Sequence, residues 1–161
     1  MERTSKRGGV GVAVALGWAL VVACPLHGQQ TDGYARSSAG TRQLSFPNGT
    51  TIKLLLEAAN LGSDEIEVGE ITFAPGSNPT SGHRHGAMEM FYVVEGVLGH
   101  VVNGEEHRLE PGMVGVVKPG DSVAHRVLSE GPVKAVVIWV PGGEADRIAP
   151  PERWTRIGGD T

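Results

Sequence analysis

The chain reads as an all-β protein, a sandwich or barrel of short strands, and three observations carry that expectation. Apolar segments beyond the first forty or so residues are short and separated by Gly, Pro, Asn and Asp. No segment there holds a helical period. Asn103-Gly104 interrupts two extended stretches, a strong sign of a tight hairpin because the turn that matches strand twist needs positive φ at both central residues. Many short strands at this spacing indicate a sandwich or barrel.

In order, the strands expected are Thr51–Glu57, Glu65–Ala74, Met88–Glu95, Leu98–Val102, Met113–Lys118, Ser122–Leu128 and Val133–Val140. Turn residues lie between them at Asn60–Ser63, Pro75–Gly82, Asn103-Gly104, Pro111-Gly112, Pro119–Asp121 and Glu130–Pro132. Ala58–Leu61 suits a single helical turn. Met88–Glu95 is apolar on both faces: Ala87, Phe91 and Val93 share the parity of Glu89, while Met88, Met90, Tyr92 and Val94 take the other. A strand apolar on both sides implies a cover for its second face, either an N-terminal strand or a second subunit. The methionine-containing stripe is then structural.

The chain has 161 residues, enough for one domain with a sizeable core but not for two ordinary ones. Its first part reads as an export signal. Arg3, Lys6 and Arg7 form a positive region, and an uncharged apolar run from Gly8 to Cys24 follows, short for a bilayer span. Residues 1–28 are expected to be the signal peptide. Val21-Val22-Ala23-Cys24 also resembles a lipobox, in which cleavage before Cys24 would leave a lipid anchor; Leu26-His27-Gly28 precedes an ordinary cleavage point, the preferred reading. The protein is therefore expected to be periplasmic or extracellular. Residues 29–44 read as a flexible tether, 45–142 as the barrel and 143–161 as a C-terminal tail crossing its exterior, with Trp154 as packing anchor.

The sole cysteine is Cys24, so the domain beyond it has neither a disulfide nor a thiolate ligand. Residues 1–28 carry three basic and one acidic side chain, so a chain cleaved there carries −6 against −4 for the whole. An acidic domain without a basic run argues against nucleic acid or an anionic membrane surface as partner.

The chemistry sits in Gly82-His83-Arg84-His85-Gly86-Ala87-Met88-Glu89 and in His125 about forty residues later. Three imidazoles and a carboxylate make the ligand set of a mononuclear divalent metal. His83, His85 and Glu89 share odd parity, so an extended segment points them to one side, where another strand can bring His125. Isolated loop histidines would more often be solvated; the phased Glu89 tips the balance to a metal. Arg84, Arg126 and Tyr92 have the opposite parity to the ligands beside them and are expected to face away. His100 and His107 match no motif position and read as ordinary polar residues.

This pattern resembles the cupin family. The first cupin motif has His-x-His, three or four residues, Glu, six residues and Gly, matched here by His83, His85, Glu89 and Gly96. The outline of the second is given by Gly112, Pro119, Gly120 and His125. Gly76 lies one residue too far upstream, Gly120 follows Pro119 directly, the interval from Pro119 to His125 is one residue longer than usual, and Ser129 stands in place of Asn. The resemblance covers about residues 45 to 142. It implies a double-stranded β-helix, or jelly-roll barrel, with His83, His85, Glu89 and His125 on the metal, and a homodimer through the outer barrel face.

Four protein ligands on an octahedral ion leave two positions open, whereas zinc tends to stop at four ligands, so iron or manganese is favoured over nickel, copper, cobalt or zinc. Glu89 either stays a ligand or acts as a base. An apolar wall is expected from Phe73, Phe91, Val93, Val123 and Val127, suiting an enol, diol or aromatic substrate reacting with oxygen. A metal-dependent dioxygenase is thus the leading reading. A non-catalytic cupin that holds a small molecule or sugar is the alternative, favoured by the lack of an evident acid or base beside the ligands. A further one is an isomerase, decarboxylase or lyase, since the family hosts all of these. A purely structural barrel would leave three histidines and a glutamate buried without partners.

Overall fold

In a computed structural model, the structure describes residues 38–78 and 81–157, all within one compact unit spanning Ala35–Thr161. The expected signal peptide, residues 1–28 with Cys24, and residues 29–37 of the expected tether lie outside the described residues.

Alternation of side chains produces the strands that frame the core. β3 (Glu67–Phe73) buries every second residue, and β10 (Val133–Val140) buries Val133, Ala135, Val137 and Trp139. The two pair antiparallel, Val137 opposite Gly69 and Trp139 opposite Glu67. With β1 (Arg42–Ser45), β2 (Thr51–Leu56), β5 (Met88–Glu95), β8 (Val114–Val117) and β11 (Thr155–Arg156) they form a seven-stranded sheet, ordered β11-β1-β2-β3-β10-β5-β8. A second sheet contains β4 (His83–Arg84), β9 (Ser122–Val127), β6 (Leu98–Val102) and β7 (Glu105–Leu109), in the order β4-β9-β6-β7. Every pairing described is antiparallel. Phe91, Val93, Leu98, Leu109, Val133, Val137 and Trp139 share one buried cluster, so the inner faces of both sheets close on a common core. This is the jelly-roll barrel.

Asn103 and Gly104 both have positive φ, 51° and 88°, and turn β6 into β7 with Val102 opposite Glu105. Gly96 closes the β5–β6 corner. Its φ is 78°, and an added Cβ would stand 2.4 Å from the carbonyl oxygen of Pro132. Ser129 serves this corner: its Oγ accepts the N–H of Val97 at 3.1 Å and donates to the carbonyl of Gly131 at 3.1 Å. A hydroxyl therefore stitches the turn where the cupin motif places an asparagine.

Two expectations about boundaries change. Residues 42–44 were expected in the tether, yet with Ser45 they form β1, with Leu44 fully buried and Arg42 paired with Glu57 at 2.9 Å and Asp146 at 2.6 Å. Residues 143–157 are folded onto the core through α2 (Glu144–Ile148), a 3-10 turn at Pro151–Arg153 and β11, which pairs with β1. Trp154 is buried, donates its indole N–H to the carbonyl of Ala149 at 3.1 Å and lies under the Arg42 guanidinium. The short helical turn falls at Ala58–Leu61 (α1) as expected. Among the described residues no helix is long and apolar enough to cross a membrane.

Candidate metal centre

His83, His85 and Glu89 were expected on one extended strand. The segment instead changes sheets: His83 ends up on β4 beside Val123 of β9, the chain leaves extended pairing at His85–Ala87, and Glu89 lies on β5 opposite Trp139 of β10. The sheets face each other across the barrel, so the side chains still converge. The His83 and His85 rings are 4.7 Å apart, and those of His83 and His125 are 5.6 Å apart. His85, Glu89 and His125 are buried, whereas His83 stands exposed at the mouth.

Glu89 organises the centre. Its Oε2 accepts the indole N–H of Trp139 at 2.8 Å and lies 2.9 Å from His85 Nε2; its Oε1 lies 3.7 Å from His125 Nε2. The other nitrogen of His85, Nδ1, is 3.0 Å from Glu144 Oε1. A carboxylate only accepts, so Nδ1 carries the proton and Nε2 of the neutral ring turns a lone pair toward another carboxylate. Two acceptors face each other at 2.9 Å, and only a cation between them, a proton or a metal, removes the conflict.

The surrounding atoms show the same want of a cation. His85 Nε2, Glu89 Oε1, His100 Nε2 and His125 Nε2 are all buried without a hydrogen-bond partner. Each such orphan costs about 1–3 kcal/mol. One donor from each of Glu89, His100 and His125 lies within 4.8 Å of the other two, a group able to hold a metal ion. Burial, together with the charges of His100, His83 and His85, pushes His125 well below the usual imidazole pKa, so it is neutral and ready to ligate. Burial alone would lower His85 as well, but the carboxylates Glu89 and Glu144 outweigh it and raise its pKa. The donor set fits a divalent metal.

Two residues of the centre escaped the sequence reading. His100 is 1% exposed and stacked on His125 with ring centroids 5.3 Å apart, not an ordinary polar residue. Its strand alternates Leu98, His100 and Val102 on one face, which is the signal that places it inward. Glu144 comes from the tail. Besides Nδ1 of His85 it accepts the N–H of Gly86 at 3.4 Å and of Ala87 at 3.3 Å, clamping the sheet-switching corner. Glu144 also supplies the carboxylate beside the ligands that the sequence seemed to lack. Glu67 accepts the N–H of Ala145 at 2.8 Å and so ties α2 to β3. No local pattern marks either role.

Arg126 pairs with Glu106 at the surface, and Tyr92 is 45% exposed, both turned away as expected. Arg84, expected to face away, is exposed but borders the cavity of the centre and donates to the carbonyl of Gly120. The centre opens into a cavity of about 490 Å³. Phe73 and Phe91 line it as expected; Val93, Val123 and Val127 do not, because the core and the second sheet take them. Phe46, Ile52, Ile71 and Ile148 supply the apolar wall instead, with Asn48, Thr50 and Ser77 as its polar side.

Residues 69–141 match the family model of the Cupin domain. With the jelly-roll architecture, this match supports a small domain of the cupin superfamily. Over 95 residues the chain is 33% identical to tetracenomycin polyketide synthase protein TcmJ of Streptomyces glaucescens, a match covering 59% of this chain and 62% of that protein, less than two thirds of its length. The structure of a predicted oxalate decarboxylase from Thermotoga maritima superposes with a TM-score of 0.55 at 20% identity, over 68% of this chain and 99% of that one. KdgF from Halomonas sp. does so with a TM-score of 0.53 at 19% identity, over 65% and 89%. At these identities the structural likeness speaks for the fold alone.

Proposed function

We propose that this chain is an exported, mononuclear metal-binding cupin and a metal-dependent oxygenase of a small enol, diol or aromatic substrate, with His83, His85, Glu89 and His125 as ligands. The observation that carries the reading is the convergence of partnerless buried donors at the floor of a largely apolar cavity. A divalent ion, iron or manganese by preference, would supply Lewis acidity and open coordination positions there. The protein residues do the rest. The Trp139 indole holds Oε2 of Glu89, Glu144 fixes the His85 tautomer, and Phe73 and Phe91 exclude water beside the centre. Export rests on the basic and apolar N-terminal segment, with Cys24 as lipid anchor only if cleavage falls before it.

A binding role without turnover has its own supporting observation. Thr50 Oγ1 is buried without a partner in the cavity wall, next to Asn48 and Ser77, and this side suits a hydroxylated small molecule or sugar. Isomerase, decarboxylase or lyase chemistry would use the same centre.

Oxygen uptake by the iron- or manganese-loaded protein, screened against enols and aromatic diols, separates these readings. The oxygenase reading expects uptake that needs both protein and substrate and is lost in Glu89→Gln. Ligand binding with no oxygen consumed contradicts it and favours the binding role; a product formed without oxygen moves the assignment to the other enzyme classes.

A further inference from the structure

His100 sits midway along β6, paired with His125 on β9 and His107 on β7. Its ring lies between Phe91, at 5.6 Å, and His125, at 5.3 Å and nearly parallel. Nε2 has no hydrogen-bond partner, a penalty that a leucine packed against Phe91 and Leu109 would not carry. The backbone makes room for the ring. Gly115 on β8 faces it, and a Cβ there would stand 2.5 Å from His100 Nδ1 and 2.6 Å from the Leu109 side chain. A slot cut for an imidazole whose buried nitrogen binds nothing in the protein needs a reason.

The donor distances supply one. Glu89, His100 and His125 each offer an atom within 4.8 Å of the other two. Donors about 2.1 Å from a shared octahedral ion stand about 3.0 Å apart when cis and about 4.2 Å when trans, so these three are near enough to close on one ion by drawing together.

We infer that His100 is a further metal ligand of this chain, binding from the deep side of the centre together with Glu89 and His125. The inference rests on the metal-binding reading and deepens it. Were His83 and His85 to join these three on one octahedral ion, one position would remain open instead of two. The centre then takes a monodentate external ligand, and a chelating diol has to displace a protein ligand.

The test compares wild-type protein with His100→Leu and His100→Gln. Thermal unfolding in excess chelator reads the fold without metal. Titration with Co(II) against a competing chelator reads affinity, and X-ray absorption of the Co(II) protein counts imidazoles. We expect His100→Leu to be as stable as wild type or more so without metal. It should bind Co(II) at least about tenfold more weakly, since losing a ligand costs no less than losing a group that orients one. Its imidazole count should fall by one. His100→Gln carries the same readout if the leucine variant does not fold. Unchanged affinity and imidazole count in a folded variant overturn the inference and leave the metal reading standing. Wild-type protein that binds no Co(II) overturns both.

Discussion

At the scale of single residues, the histidines make folding depend on pH. In an unfolded chain each titrates near pH 6.5. Burial first, then neighbouring imidazole charges, hold His125 well below that value, and burial likewise lowers His100. As pH falls below about 6.5 the unfolded chain takes up protons that the folded protein refuses, so stability present above that pH is lost on acidification. His85 acts in the opposite sense: its raised pKa gives stability that is full below about pH 6.5 and lost as pH rises through its folded value. Burial lowers His83 too, so three lowered histidines, His125 the most strongly, outweigh one raised, and metal-free protein should unfold at a lower urea midpoint at about pH 5.5 than at about pH 7.5. A midpoint that holds or rises on acidification contradicts this. The four motif residues were legible because the cupin spacing names them. His100 was legible only through strand parity, and Glu144 not at all, since a single carboxylate on a five-residue helix becomes meaningful only when the chain returns to His85.

At the scale of elements, strands with an alternating or apolar pattern were readable almost to the residue, and polar ones were not. β5, β6 and β10 have the ends expected. β7, Glu-Glu-His-Arg-Leu, buries only Leu109 because it is the edge of its sheet, where charge protects an open strand from mispairing. β1 buries only Leu44 and is recognised by what pairs with it on either side. The corner at His85–Ala87 was hidden because parity assumes one continuous strand, whereas the chain crosses between sheets there. α2 is the element with most consequence for function, since it delivers Glu144 to His85 Nδ1. Glu144→Ala should weaken metal binding about 10–100-fold with the barrel still folded, as losing a carboxylate behind a ligating imidazole does elsewhere. Glu144→Gln, which keeps an acceptor oxygen, should recover part of the loss. Chelator competition checks both, and equal affinity in all three proteins would remove Glu144 from the centre.

At the scale of the whole molecule, the barrel presents an apolar face that none of the described residues covers. Tyr92 and Val94 on β5 and Val114 and Val116 on the sheet-edge strand β8 are each 45% exposed or more, and β1 packs at the far end of the same sheet. The cover expected for the second face of β5 is therefore not the first described strand, and a second copy of the chain is the proposed one. Sedimentation should give a dimer for wild type and a monomer for Tyr92→Glu/Val116→Glu, with metal content retained; a monomeric wild type rules the dimer out. The central claim is that the barrel holds a metal on the residues converging at Glu89. It is tested most directly by metal content, by mass spectrometry, of folded wild-type protein beside His85→Ala. The account predicts about one equivalent of a divalent transition metal in the wild type and most of it lost in the variant. Metal content that is equal in the two, or a folded wild type with none, would contradict it.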